Sequence, residues 1–240
     1  MPEMALGTEL ETIALPAAAL RYVLHQRPML IASDGWLRRL HVPQAVRLRL
    51  DAVLGARRIT ADYSRMIRAD YEMIRPYLPE RAERILDIGC GIAGLDVLLY
   101  AHYRDRGRPE MYLLDRTGSA VPRYGFADRD EFYNALELSR RVLVDNGVPA
   151  EAIRLLDVGK GDEIPQGPLD LVVSIASWGF HYPVSRYLDE VHRALNPGGC
   201  LILDVRLGEG QRELLEQRFE CVETIRAVWK DKAERLRAVR

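Results

Sequence analysis

The sequence predicts an α/β fold: a doubly wound, mostly parallel sheet that ends in a C-terminal antiparallel hairpin and is preceded by an N-terminal helical cap. Three observations carry this expectation. From Arg84 onward, strand-like and helix-like segments alternate, which is the pattern of βαβ units. Upstream, residues 13–77 repeat apolar side chains at three- and four-residue spacing. Beyond Phe219, apolar and polar residues alternate on both sides of the charged turn Lys230-Asp231-Lys232.

Each element follows from local chemistry. In the cap, helices are predicted over Leu15 to Leu24, Val42 to Leu54 and Ala61 to Leu78, separated by Pro28, Gly35, Pro43 and Gly55. Pro76 and Pro79 mark the boundary near residue 80, giving a cap of residues 1–80 and a cofactor-binding domain of residues 81–240. The first strand, 84–88, is an apolar run suited to burial on both faces of a parallel sheet. A helix over 94–105, a strand over 111–115, a helix over 130–146 and strands over 152–156 and 169–175 follow. A helix over 184–195, a strand over 200–205, a helix over 209–217 and the hairpin 219–228/233–239 complete the chain.

Composition bounds the function. At 240 residues and 48% hydrophobic content, the chain can bury one substantial core with a small helical appendage. The 34 basic and 35 acidic side chains leave no overall charge to draw nucleic acid or an anionic membrane, so small neutral partners are expected. No apolar run reaches the roughly 18 residues of a membrane span, and Met1-Pro2-Glu3 lacks a basic leader stretch, so a cytoplasmic protein is expected. Cys90, Cys200 and Cys221 are odd in number and scattered, which argues against a disulfide framework or a metal site.

The chemistry concentrates in Arg84-Ile85-Leu86-Asp87-Ile88-Gly89-Cys90-Gly91-Ile92-Ala93-Gly94. Gly89, Gly91 and Gly94 allow a tight turn, close approach of backbone to a ligand, and close packing of strand on helix. A glycine pattern of this kind is shared by dinucleotide-binding loops. Asp87, two residues ahead of the first glycine, separates the two cases. It would repel a pyrophosphate placed at the helix N-terminus, whereas S-adenosylmethionine carries no phosphate and offers an ammonium that this region can receive.

The order of four landmarks resembles the class I S-adenosylmethionine-dependent methyltransferases of small-molecule type, with their Rossmann-like sheet. They are the acid-x-Gly-x-Gly loop at Asp87 to Gly91, the strand Met111-Tyr112-Leu113-Leu114-Asp115, the strand Ile153 to Asp157 with Val158-Gly159, and the segment Leu169 to Trp178 with the later turn and strand Leu195-Asn196-Pro197-Gly198-Gly199-Cys200-Leu201-Ile202-Leu203. The resemblance implies S-adenosyl-L-methionine as methyl donor and S-adenosyl-L-homocysteine as product. It places Asp115 on the ribose hydroxyls, to which its carboxylate offers two oxygens, and Asp157 toward the adenine, with Asp162 and Glu163 close behind. Asp87, Gly89, Cys90, Gly91 and Gly94 would form the cofactor loop, with Arg116, Val158 and Ser174 completing the site. Ala93 stands where the family often has glycine; a methyl group is tolerated there if the backbone keeps a negative φ.

Methyl transfer from a sulfonium is an in-line displacement, so alignment and exclusion of water supply much of the rate. An alcohol acceptor also requires a base, most often histidine. His181, in Gly179-Phe180-His181-Tyr182-Pro183, follows the fourth strand at the carboxyl edge of the sheet, where open α/β folds bind substrates. It is the candidate catalytic base. The family's Asn/Asp-Pro-Pro-Tyr motif for amino methylation is absent, since Ser177-Trp178-Gly179-Phe180 stands there. Trp178 and Tyr182 are expected to wall the acceptor pocket. The long connection 116–128 is expected to form part of the acceptor wall, with Tyr124 and Phe126 in it and Tyr133 and Asn134 after it as acceptor contacts, and Arg116 and Arg123 for an acidic group. Tyr63 and Tyr71, eight residues apart on one cap helix, are further candidates for cofactor or substrate contact.

The expected function is methyl transfer to a small-molecule acceptor, most plausibly the hydroxyl of a sugar or specialised metabolite, without nucleic acid, membrane or metal. A homodimer is compatible with this reading. The alternatives are a methyltransferase for RNA or protein, a nucleotide-binding oxidoreductase using the same glycines for NAD, and a non-catalytic cofactor-binding protein.

Overall fold

The computed structural model describes residues 12–31, 39, 41–118 and 134–240. Its cap comprises α1 (Ala17–Gln26), α2 (Gln44–Leu54) and α3 (Ala56–Ile74). Ile59, Tyr63, Ile67 and Ile74 of α3 are buried on one face, as the spacing of an amphipathic helix requires. The elements that follow are β1 (Arg84–Ile88), α4 (Gly94–Tyr103), β2 (Glu110–Asp115), α5 (Leu136–Asp145), β3 (Ile153–Asp157) and β4 (Leu169–Ser174). After β5 (Ser177–Tyr182) come α6 (Leu188–Ala194), β6 (Leu195–Arg206), α7 (Gln211–Glu216), β7 (Cys221–Val228) and β8 (Ala233–Val239).

Seven strands form one sheet in the order β3-β2-β1-β4-β6-β8-β7. The first five run parallel, and β8 pairs antiparallel with both β6 and β7. The expected mostly parallel sheet with a C-terminal hairpin is therefore present. Strand order reverses at β1 and β4, and at such a switch point the carboxyl ends of adjacent strands open a crevice.

Alternate residues of the central strands feed two apolar cores. Ile85, Met111, Leu113, Leu171, Val173 and Ile202 pack with α4, α5 and all three cap helices. Leu86, Ile88, Leu114, Val172, Leu201 and Leu203 pack on the opposite face with α6 and α7. The cap is thus continuous with the first core. Among the described residues, no helix is long and apolar enough to cross a membrane.

Three elements differ from expectation. β5 forms where an irregular segment was expected, and it is not one of the seven sheet strands. The helix predicted over 184–195 divides into a 3₁₀ turn, Val184–Arg186, and the shorter α6. The Asn196-Pro197-Gly198-Gly199 turn lies within β6, where the register with β4 jumps from Leu169↔Leu195 to Leu171↔Cys200. The residues between bulge out of the ladder, as a donor-free proline and Gly198 at φ +78° favour.

Candidate functional site

Parallel registry brings the predicted acids together. Asp115 is paired with Asp157, and Ile88 with Leu114, so β1, β2 and β3 end at one level of the sheet. Between β1 and α4 the chain turns through Gly89 at φ +78°, Gly91 at +54° and Ala93 at +58°. Ala93 therefore does not keep the negative φ expected of it; it sits left-handed as the residue preceding α4, at a cost of about 1–2 kcal/mol. Gly89 donates its N–H to Leu114 O at 2.7 Å.

What the glycines make room for is visible in the structure. A Cβ on Gly89 would lie 1.8 Å from Ser177 Oγ, and one on Gly94 would lie 2.4 Å from the Tyr63 hydroxyl. The loop is thus clasped between the turn after β4 and cap helix α3. Gly89→Ala combines a left-handed φ with this overlap, so a loss of about 2–3 kcal/mol is expected, together with weaker cofactor binding. Thermal unfolding and titration with S-adenosyl-L-homocysteine check this; unchanged melting and affinity would refute the conformation described.

Asp115 is the best-held of the acids. Its Oδ2 accepts from Gly91 N and from Asn134 Nδ2, each at 2.9 Å, and its Oδ1 accepts from Arg116 N at 2.7 Å. Burial pushes its pKa up to about 6, against the pull of these N–H donors and with the charge of Asp157 adding to the rise. Asn134, expected near the acceptor, instead braces Asp115. Ser139, which gives no sequence signal of a role, completes the brace, donating to Gly91 O at 2.6 Å and lying 3.2 Å from Asn134 Oδ1. Half-buried Cys90 lies beside the same groups, its Sγ 4.0 Å from Asp115 Oδ2. Its thiol is raised well above the ordinary range by burial and by the surrounding carboxylates.

Asp157 is engaged locally. It accepts from Gly159 N at 2.9 Å and Thr117 N at 3.2 Å, capping the 3₁₀ turn that begins at Val158. Asp162 is exposed and accepts from Asp157 N at 2.8 Å, so of the two it is Asp157 that is buried at the strand end. Val158 packs against the second core, and the exposed Arg116 lies along Gly159.

Two expected contacts are corrected by burial. Ser174 is fully buried, donating to Ile88 O at 2.8 Å and accepting from Trp178 N at 2.9 Å, so its hydroxyl joins β1 to the turn after β4. Trp178 is fully buried in the second core with Nε1 bonded to Val184 O at 3.0 Å; it packs, and does not wall a pocket. The Tyr182 hydroxyl lies 3.4 Å from Ser177 Oγ. His181 is exposed, edge-on to Phe180 at 5.0 Å between ring centroids. Partial burial, then Arg206 and Arg27, lower its pKa. Tyr124, Phe126, Tyr133 and Arg123 lie outside the described residues. Of the two cap tyrosines, Tyr63 reaches the loop, while Tyr71 hydrogen-bonds His102 at 2.8 Å, on α4.

Sequence reasoning did not find Ser177 or Gln26, whose Oε1 would stand 2.7 Å from a Cβ on Gly91. Both lie in segments remote from the loop in sequence, and nothing local marks either as a neighbour of the loop. Among the described residues, no His, Cys, Asp and Glu cluster could hold a metal ion.

A glycine turn between β1 and α4, with carboxylates at the ends of three adjacent parallel strands, defines the fold of class I S-adenosylmethionine-dependent methyltransferases. A family model described as a methyltransferase domain matches residues 59–236, and the chain belongs to that family. Its cofactor is S-adenosyl-L-methionine. No curated protein matches the sequence. Solved structures similar in fold include a proposed O-methyltransferase from Nostoc punctiforme PCC 73102, at 13% identity and TM-score 0.54 over 92% of this chain and 72% of that one. The S-adenosylmethionine-dependent methyltransferase SibL has 17% identity and TM-score 0.53, over 92% of this chain and 69% of its own. The T. thermophilus 16S rRNA N2 G1207 methyltransferase RsmC has 17% identity and TM-score 0.50, over 74% of this chain and 42% of its own.

Proposed function

We propose that this methyltransferase transfers a methyl group to the hydroxyl of a small molecule, a sugar or specialised metabolite, with His181 as general base. The observation that carries this reading is His181 itself, exposed just past the carboxyl end of β4 on β5, with a pKa lowered by partial burial and by Arg206 and Arg27. A histidine kept neutral at pH 7 can accept a proton. The near balance of 34 basic and 35 acidic side chains favours a small acceptor over RNA, and a cytoplasmic location is part of the same proposal.

The residues present fit the cofactor. Asp115 retains lone pairs for the ribose hydroxyls after accepting its three N–H bonds, and Asp157 stands beside it toward the adenine side. Gly89, Gly91 and Gly94 let the backbone approach, while Tyr63 and Ser177 fix the loop. Bound S-adenosyl-L-methionine supplies an electrophilic methyl on a sulfonium. The protein's part is to align the acceptor oxygen with it, exclude water through the cap, and take the hydroxyl proton on His181.

Labelled-methyl transfer from S-adenosyl-L-methionine into a metabolite extract would identify the acceptor. With that acceptor, His181→Ala is expected to lower turnover about 10²–10⁴-fold while S-adenosyl-L-homocysteine affinity stays within about twofold. Because the pKa is lowered, wild-type turnover should stay flat from pH 8 to 7 and fall only as His181 protonates at lower pH. Full turnover of the variant across this range would remove His181 from the mechanism.

A further inference from the structure

Four segments of the chain meet around His181 at the carboxyl edge of the sheet, and the charge they bring is positive. Arg206, the last residue of β6, donates from Nε to Phe180 O at 2.5 Å and lays its guanidinium over the Phe180 ring at 4.8 Å. The Phe180 ring packs against Trp229, from the turn between β7 and β8, at 5.2 Å between centroids. Arg27, the residue that ends α1, covers Trp229 at 6.0 Å. The result is a row of cation, ring, ring and cation, with His181 edge-on to Phe180.

Arg27 also borders the cofactor side of the site. The residue before it, Gln26, is the one whose Oε1 would meet a Cβ on Gly91. The Arg27 charge acts on the Tyr63 hydroxyl, which lies against Gly94, as well as on His181. It therefore stands between the glycine loop and the candidate base, where an acceptor has to lie for its oxygen to meet both. No acid answers it there. Among the described residues Arg27 forms no ion pair, and Asp204, which reaches Trp229 Nε1, is already held by Arg235 and Ala176 N. A guanidinium stays charged at any working pH, and its paired N–H donors match the two oxygens of a carboxylate.

We propose that the methyl acceptor is a hydroxy acid, its carboxylate held by Arg27 beside the Phe180–Trp229 pair and its hydroxyl directed to His181. This rests on the reading of methyl transfer to a small-molecule hydroxyl given above, and it names the substrate class. The acid also serves the reaction. Arg27 and Arg206 disfavour a proton on His181, and a bound carboxylate offsets them when the base has to take one. The same two charges repel a protonated amine. In the transfer, the acceptor oxygen gains its C–O bond as the C–S bond breaks and leaves its electron pair on sulfur. The hydroxyl proton passes to His181, and the carboxylate stays ionised throughout.

A metabolite extract, ultrafiltered to remove RNA and protein, is divided on an anion-exchange resin near pH 7, and each fraction is incubated with the protein and labelled S-adenosyl-L-methionine. We expect the label in the retained, acidic fraction. For the acceptor isolated from it, converting the carboxylate to a neutral amide should raise KM about 10–100-fold. Arg27→Gln should raise KM for the acid by the same factor and add nothing further with the amide, while S-adenosyl-L-homocysteine affinity stays within about twofold. Arg27→Lys should restore part of the loss. Label confined to the unretained fraction would overturn the inference, as would equal KM for acid and amide, or an acceptor destroyed by phosphatase. Loss of S-adenosyl-L-homocysteine affinity in Arg27→Gln, with acceptor KM unchanged, would overturn it too and give Arg27 to the cofactor's own carboxylate. The comparison of acid with amide on the wild-type protein decides the matter even if the variant does not fold. Label found on nitrogen or carbon would overturn the hydroxyl reading, while a charge-dependent KM would still support the Arg27 subsite. No label in either fraction would overturn both.

Discussion

Asp115→Asn is expected to weaken S-adenosyl-L-homocysteine binding about 100-fold while leaving the fold intact. The proposed role of Asp115 is to accept two ribose hydroxyls on an anionic group, and hydrogen bonds to a charged partner contribute about 1.5–3 kcal/mol each, so their weakening together reaches about two decades in affinity. Stability moves the other way. The carboxyl is raised from 3.8 to about 6 in the folded chain, so the native state holds more protons than the unfolded chain between those values. That contribution is fully present below about pH 4 and is lost as pH rises through about 6, amounting to about 3 kcal/mol. The neutral amide escapes this loss but can no longer accept from all three of Gly91, Arg116 and Asn134. At pH 7.5 the variant should therefore melt no lower than the wild type. The part of the wild-type affinity profile that falls below about pH 6 should vanish. A variant that binds S-adenosyl-L-homocysteine as the wild type does would remove Asp115 from the site.

Asp204→Ala is expected to be the most destabilising single change, by about 3–5 kcal/mol. Asp204 and Arg235 are both almost completely buried and form a two-point pair, Nε to Oδ1 at 2.7 Å and Nη2 to Oδ2 at 3.1 Å. Asp204 Oδ2 also accepts from Ala176 N and Trp229 Nε1, each at 3.1 Å, and Arg235 Nη1 reaches Asp70 on cap helix α3 at 3.0 Å. One network thus holds the left-handed Ala176, the hairpin turn and the cap against the sheet. Burial alone would lower the Arg235 pKa, and Asp204 and Asp70 more than offset it. Without Asp204 the buried guanidinium keeps, among the described residues, the half-buried Asp70 and a weak contact to Met73 Sδ. For a chain of this size the melting temperature should drop by about 10 °C. Asp204→Leu combined with Arg235→Met should recover most of the loss, since it removes both charges. Melting of Asp204→Ala within about 2 °C of wild type would show that the pair is not what joins these elements.

The parts of the site that could be read in the sequence are those written in contiguous residues. Strand, glycine turn and helix from Arg84 to Tyr103 form one local unit, so the turn is already implied by apolar residues, acid and glycines in a row. Asp115 and Asp157 were legible because each closes an apolar strand-sized run. The misread residues depend on where a side chain faces. Ser174 and Trp178 look like site residues from their position after the fourth strand, but the turn through Ala176 at φ +56° carries both inward, into mutual hydrogen bonding. β5 was missed although Trp178, Phe180 and Tyr182 fall at every second residue, because the run is short and is interrupted by Gly179, a residue that weakens a strand.

By itself, the sequence determined the class of fold, the methyl donor and the glycine turn with its neighbouring acids, because strand periodicity and turn chemistry act over a few residues. Only the tertiary structure decided what surrounds that turn. Tyr63 and Ser177 meet the glycine loop from segments distant in sequence, Asn134 braces Asp115, and Arg235 is buried against Asp204 although its strand alternation reads as exposed. The physical reason is that hydrogen bonds and ion pairs between remote segments leave no periodic trace. A charged residue on a strand reads the same whether it faces water or a buried partner, and only packing of the cap and the hairpin onto the sheet distinguishes the two.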